Sequence, residues 1–246
     1  MGRRIERELA EMVQKVKDAG RAPIAVLDID LTLVENAPRT RQIWRLWCEE
    51  VRERWPGAAA AKARVETMPI VFGVRENLAT LGVRDEALAK EGFTFWLEKF
   101  FDDELCRLDT ALSGASEAVD LLYKAGVTIA YLTARPAWMR EGTVETLSRL
   151  GFPVCLPQTI LVMKPDVKVS DTAYKDGAMT WLEKLGVVIV AADNEPGHCN
   201  GMQRAFKSAR VLHVNTRHSP GAPPLDSGVD VVASVAEGVC EGEGSR

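Results

Sequence analysis

The sequence predicts an α/β protein, a Rossmann-like parallel sheet core carrying an inserted helical domain. Three observations predict it. From about residue 113 onward, apolar runs of strand length alternate with helical patterns of ten or so residues, the rhythm of parallel strands joined by crossover helices. One further run of strand character, residues 24–27, stands near the N-terminus and ends in Asp28-Ile29-Asp30-Leu31-Thr32. Between the two, residues 35–112 nearly lack strand-like runs and read as helices.

In chain order, Ile5, Leu9, Met12, Val13 and Val16 recur at helical spacing, and Gly20 stops that helix. It is expected to pack on the core domain. The first strand follows. Residues 40–55 place Ile43, Trp44, Leu46, Trp47, Val51 and Trp55 on a broad helical face that Pro56-Gly57 ends. Residues 58–67, 71–81 and 85–101 read as three more helices, the last with Asp85 as a candidate cap. Four of the six tryptophans (Trp44, Trp47, Trp55 and Trp96) fall in this stretch, either as its own core or in part as pocket lining. The core domain is therefore expected at 1–34 and 113–246, and the helical domain at 35–112.

After residue 112 the expected order is helix 116–124, strand 127–132, helix 137–150, strand 159–163, helix 174–185, strand 187–191, helix 197–209 and strand 210–214. Residues 229–232 offer a short sixth strand. Residues 219–228 read as a loop, and 241–246 as a disordered tail.

Composition excludes several classes. The 246 residues are 46% hydrophobic and 27% charged, which suits a soluble globular chain with a sizeable core. A net charge of −4 gives no basic surface for nucleic acid or membrane. No apolar stretch approaches a membrane span, and the charged N-terminus shows no signal-peptide region. Five scattered cysteines without a Cys-x-x-Cys pair read as free thiols, so a cytoplasmic location is expected. No glycine-rich phosphate loop and no dinucleotide fingerprint is present, so nucleotide cofactors are not indicated.

In open α/β sheets, ligands bind beyond the carboxyl ends of the strands. Asp28 and Asp30 end the first strand, Thr133 and Arg135 the second, Lys164 the third, and Asp193, Asn194 and Glu195 the fourth. In an extended segment Asp28 and Asp30 share a face, unless the chain bends there. Two carboxylates so close repel unless a cation offsets them, and Mg²⁺ is suited to one or two carboxylates plus phosphate oxygens. The same residues also suit a plain Asx-type turn. Arg135 has the planar fork that grips phosphate, or equally a carboxylate.

Asp28-x-Asp30-x-Thr32, then Thr133, a lysine and Asp193 in that order, resemble the motifs of the haloacid dehalogenase (HAD) superfamily. The resemblance spans most of residues 22–215. It implies a phosphatase with Asp28 as nucleophile, forming an aspartyl-phosphate, and Asp30 as general acid/base. Mg²⁺ would rest on Asp28, the backbone carbonyl of Asp30 and Asp193. Beyond Asp193 the chain departs from the family pattern, leaving Asn194 or Glu195 to complete the metal shell. Thr133 would donate to the phosphoryl group, with Thr32 and Arg135 binding substrate. The family lysine lies near the start of the helix before the fourth strand, which favours Lys175 and leaves Lys164 as second choice. An insert directly after the first strand is similar to the family's C1 helical cap, and a cap of that size implies a small phosphorylated substrate. A phosphotransferase or phosphomutase on the same chemistry, and a non-catalytic HAD-like binding module, remain as alternatives.

Overall fold

The computed structural model describes residues 2–240; the expected tail at 241–246 lies outside them. Its centre is a six-stranded sheet in the order β5-β4-β1-β6-β7-β8, every neighbouring pair parallel. The strands are β1 (Pro23–Leu27), β4 (Thr128–Pro136), β5 (Thr159–Lys164), β6 (Val187–Asp193), β7 (Arg210–Val214) and β8 (Val229–Val232). The central strands are buried on both faces, which is why they read as continuous rather than alternating apolar runs.

Helices cover both faces. On one, α1 (Gly2–Asp18), α6 (Ala115–Lys124), α7 (Arg140–Arg149) and α10 (Val235–Cys240) accompany a core that includes Leu9, Val13, Leu27, Ile29, Leu122 and Tyr131. On the other, α8 (Asp171–Leu185) and α9 (Pro196–Ala205) enclose Ile24, Val26, Leu132, Met179, Leu182 and Met202. The alternation of strand faces divides β1 between the two cores: Ala25 and Leu27 go one way, Ile24 and Val26 the other.

Between β1 and α6 run α2 (Ala37–Glu50), α3 (Ala58–Val65), α4 (Val74–Leu81) and α5 (Glu86–Phe100), with a 3₁₀ turn at Leu105–Leu108. These helices have their own apolar centre, including Trp44, Trp47, Val51, Ala61, Leu78 and Leu81. Asp85 caps α5, its carboxylate accepting from the Leu88 N–H at 2.8 Å. The helices are shorter than their apolar patterns suggest. In α4 the reason is local: the Asn77 side chain takes up the backbone of Val71 and Gly73, so those residues form a loop rather than a first turn.

Two strands went unread in the sequence. β2 (Val34–Glu35) and β3 (Thr110–Ala111) pair antiparallel where the helical stretch leaves and rejoins the core. At two residues each they are too short to give a period-2 signal, and their pairing joins residues far apart in sequence. β4 also runs further than its apolar run, to Pro136, with a register shift against β5 between Thr133 and Pro136. That bulge re-aims the chain next to the site. Among the described residues no helix is long and apolar enough to cross a membrane.

Candidate active site

The carboxyl ends of β1, β4, β5 and β6 meet at a cavity of about 420 Å³. Asp28, Asp30, Thr133, Arg135, Lys164, Lys175, Asp193 and Asn194 all border it. The opposite wall comes from the helical stretch: Ile70, Val71 and Phe72 from the loop before α4, and Trp96, Phe100 and Phe101 from the end of α5. Of the tryptophans, Trp44 and Trp47 thus belong to the insert's own core while Trp96 reaches the cavity.

β1 delivers Asp28. Its N–H still bonds the Ala192 carbonyl across the sheet, at 3.0 Å, but the chain then turns sharply. Thr32, Leu33 and Val34 all direct their N–H groups to the Ile29 carbonyl, and Leu31 takes a left-handed backbone at φ 62°. The turn splits the aspartate pair. Asp28 faces Lys175 and Thr32, whereas Asp30 turns to two arginines, so the two carboxylates of the pair meet different cations.

Lys175 sits just over one turn into α8, whose start is fixed by Ser170 accepting from the Ala173 N–H. Its ammonium donates to Asp28 Oδ1 at 2.8 Å and to Asp193 Oδ2 at 2.6 Å. All three side chains are buried. Burial raises the Asp28 carboxyl to about 7; Asp193 adds to the rise and Lys175 opposes it. For Asp193 burial also acts upward, but Lys175 and His198 outweigh it and hold the carboxyl well below its usual range. Two buried carboxylates share one lysine, and the resulting shortage of positive charge falls on Asp28.

Lys164 does not join them. Its ammonium is taken by Asp171 Oδ1 at the start of α8, 2.5 Å away, although it still borders the cavity. Of the two candidate lysines, the geometry brings only Lys175 to Asp28. Thr32 is also displaced from the substrate contact expected of it. It is fully buried beneath Asp28, donates to Asp28 Oδ2 at 3.2 Å, and is not among the residues bordering the cavity. Its hydroxyl and Lys175 address different oxygens of the same carboxylate, which sets the orientation of Asp28.

Asp30 is the centre of a second charge group. Arg135 Nε reaches its Oδ2 at 2.6 Å, and Arg39 Nη2 its Oδ1 at 2.5 Å. Asn36 adds a 3.3 Å bond. Asp109, fully buried, closes the group by accepting from Arg135 at 2.6 Å and pairing with Arg39 at 3.1 Å. Arg39 also lies over the Phe100 ring, 4.1 Å from its centroid, and donates to the Phe100 carbonyl. Burial pushes the Asp30 carboxyl upward, but Arg135 and Arg39 prevail and keep it well below the usual carboxylate range. Arg135, expected on substrate or on a carboxylate, is therefore on carboxylates.

Of the two candidates for completing the shell beyond Asp193, the charged one turns its carboxylate elsewhere. Glu195 accepts from the N–H and hydroxyl of Ser219, at 2.9 and 2.6 Å, and holds the loop after β7. Asn194 donates its amide to the Arg217 carbonyl at 2.7 Å, which leaves its side-chain oxygen as the remaining donor atom. Thr133 lines the cavity, and its hydroxyl accepts from the Arg135 N–H at 3.2 Å. Among the described residues, no three His, Cys, Asp or Glu side chains gather as a metal cluster.

Arg39 and Asp109 escaped the sequence reading. For Arg39 a signal existed: it precedes Ile43 and Trp47 at i−4 and i−8 and so lies on the buried stripe of α2, where a charge demands a partner. Asp109 has no such signal, because its partners lie at distant points of the chain.

A parallel α/β sheet with acidic and basic groups converging on one edge, under a helical insert after the first strand, defines a HAD-like hydrolase. More particularly, the family model for HAD superfamily subfamily IIIB, acid phosphatase, matches residues 3–194, and the chain belongs to that family. It is accordingly an enzyme of the phosphoric monoester hydrolase class. Protein Tyrosine Kinase A of Mycobacterium tuberculosis shares the fold at TM-score 0.57 and 15% identity, over 89% of this chain and 98% of that one. A protein described as a haloacid dehalogenase-like hydrolase from Bacteroides fragilis does so at TM-score 0.53 and 13% identity, over 88% and 99%. A class C acid phosphatase from Bacillus anthracis is more distant, at TM-score 0.40 and 16% identity, and this chain spans 63% of its length. No curated protein sequence matches the chain.

Proposed function

We propose that the protein is a Mg²⁺-dependent phosphomonoesterase that works through an aspartyl-phosphate on Asp28. The observation that carries this reading is the state of Asp28: buried at the cavity, one oxygen on Lys175, the other on Thr32, and short of positive charge. A carboxylate held in that way is suited to in-line attack on a phosphoryl group.

The donor set fits a divalent cation. Asp28 is a carboxylate in need of a further cation, Asp193 stands beside it on the same lysine, and Mg²⁺ asks for only one or two such ligands. Those two side chains and the backbone carbonyl of Asp30 would hold it, with the Asn194 oxygen nearby in sequence. The bound ion would reduce repulsion between anionic nucleophile and anionic ester.

This chain's own groups supply the rest. Lys175 holds Asp28 in place and offers charge to the phosphoryl oxygens. Thr133 lines the cavity where a phosphoryl oxygen would sit. Asp30, ionised in this geometry, has the charge of a base for the water that cleaves the aspartyl-phosphate, and it takes that proton once an arginine frees one of its oxygens. To donate to the leaving oxygen it must first gain a proton and release Arg39 or Arg135. Membership of an acid phosphatase family favours water, rather than a second alcohol, as the final acceptor.

We read residues 35–112 as a cap domain, because the cavity wall opposite the charged edge comes from them. A small phosphorylated substrate fits a cavity of this size. The apolar character of Val71, Phe72, Trp96 and Phe100 suits a substrate whose organic part presents an apolar face. A cytoplasmic location remains the reading for a chain whose cysteines at 48, 106, 155 and 199 are free.

The test is hydrolysis of p-nitrophenyl phosphate with Mg²⁺ and with EDTA, by wild type, Asp28→Asn and Asp30→Asn. Wild type should turn over only with the metal, and Asp28→Asn should fall to background. Asp30→Asn should lose about 10²–10⁴-fold, less on aryl than on alkyl esters. Near wild-type turnover by folded Asp28→Asn protein would remove the covalent mechanism.

A further inference from the structure

Val71 and Phe72 are apolar yet about 40% exposed, and both border the cavity. They belong to an irregular loop between α3 and α4. Loops with exposed apolar residues are ordinarily the loosest part of a wall, since their backbone groups lack partners. Here the backbone is held by one side chain. Asn77, buried within the first turns of α4, accepts from the Val71 N–H at 3.1 Å. It donates to the carbonyls of Val71 and Gly73, both at 2.9 Å. An amide is the only neutral side chain that can satisfy an N–H and two carbonyls at once. The corresponding aspartate would place an oxygen against two carbonyls, and an alanine would leave all three groups without it.

The arrangement divides the cavity by chemistry. The charged edge of the sheet is suited to phosphate, whereas the Val71–Gly73 loop brings only apolar side chains and a glycine to the cavity. We propose that this loop, pinned by Asn77, is the element that selects the organic part of the substrate, with Phe72 as its contact and Asn77 as its positioning residue. The inference rests on the phosphatase reading above, and adds which residues read the part of the ester that is not phosphate.

The experiment compares Phe72→Ala and Asn77→Ala with wild type, using p-nitrophenyl phosphate as substrate and inorganic phosphate as competitive inhibitor. Phosphate touches only the charged edge, whereas the aryl ester touches both. The expected result in both variants is a KM for the aryl ester raised about tenfold, the scale of one lost apolar contact. The turnover number and the inhibition constant for phosphate should stay within about twofold. Phe72 is exposed, so its removal leaves the insert folded even if Asn77→Ala does not. The proposal is overturned if KM and the phosphate constant rise together, if neither moves, or if Asn77→Ala alone shifts KM. A wild-type protein without phosphatase activity would overturn the reading beneath it as well, which separates the two failures.

Discussion

Replacing Lys175 with methionine removes the one cation that Asp28 and Asp193 share, at nearly constant side-chain length. The ammonium and both carboxylates are within a tenth of full burial. Taking one partner out of a buried pair typically costs about 3–5 kcal/mol, because the remaining charge is neither paired nor hydrated. For a chain of this size that is roughly a 6–20 °C fall in Tm. The loss should depend on pH, with a definite sign. Without the lysine both carboxyls move up, and Asp28 is already raised to about 7 by burial and by Asp193. A carboxyl whose folded pKa exceeds its unfolded value stabilises below the unfolded pKa, and that contribution is lost as pH rises through the folded one. The Tm deficit of Lys175→Met should therefore be larger near pH 7.5 than near pH 5, where the orphaned carboxylates can take protons. Scanning calorimetry in EDTA at both pH values is the assay, since a bound cation would replace the missing charge. A deficit below about 3 °C at both values, or one that grows on acidification, would refute the electrostatic account of this site.

Two other outcomes follow from the same geometry. Millimolar Mg²⁺ should raise the Tm of wild type, because ligands of the folded state stabilise it by about 2.7 kcal/mol at a hundred times Kd. Asp193→Asn, which removes one of two carboxylates, should show little of that rise; an equal rise in both would take the metal away from this site. The second concerns acid stability. Asp30 is held well below its ordinary value, so its pairing stabilises above the unfolded pKa and is lost as pH falls through the folded one. Arg39→Met should shrink that acid-limb loss in urea unfolding below about pH 4, and an unchanged limb would show that Arg39 does not hold Asp30 ionised.

Much about this chain was decided by short-range pattern. Apolar runs between helical stretches specify parallel strands, and parallel strands specify that residues at their C-terminal ends share one edge. Asp28, Thr133 and Asp193 meet at the cavity for that reason, and Asp85 caps α5 because a helix start needs an acceptor. These are local rules, legible from neighbours a few residues apart.

What only the tertiary structure decided is how the charges pair. The sequence favoured Lys175 and left Lys164 open, and geometry gives Lys164 to Asp171 and Lys175 to Asp28 and Asp193. Asp30 and Asp28, two residues apart, part company at a turn, and Asp30 finds Arg39 and Arg135. Thr32 faces Asp28 rather than the cavity. The β2–β3 pair and the Asn77 hold on Val71 likewise join groups that no periodicity links. The physical reason is that ion pairs and side-chain hydrogen bonds depend on separations of a few ångströms in a low-dielectric interior. Those separations are properties of the assembled chain, whereas periodicity is a property of each segment before it is assembled.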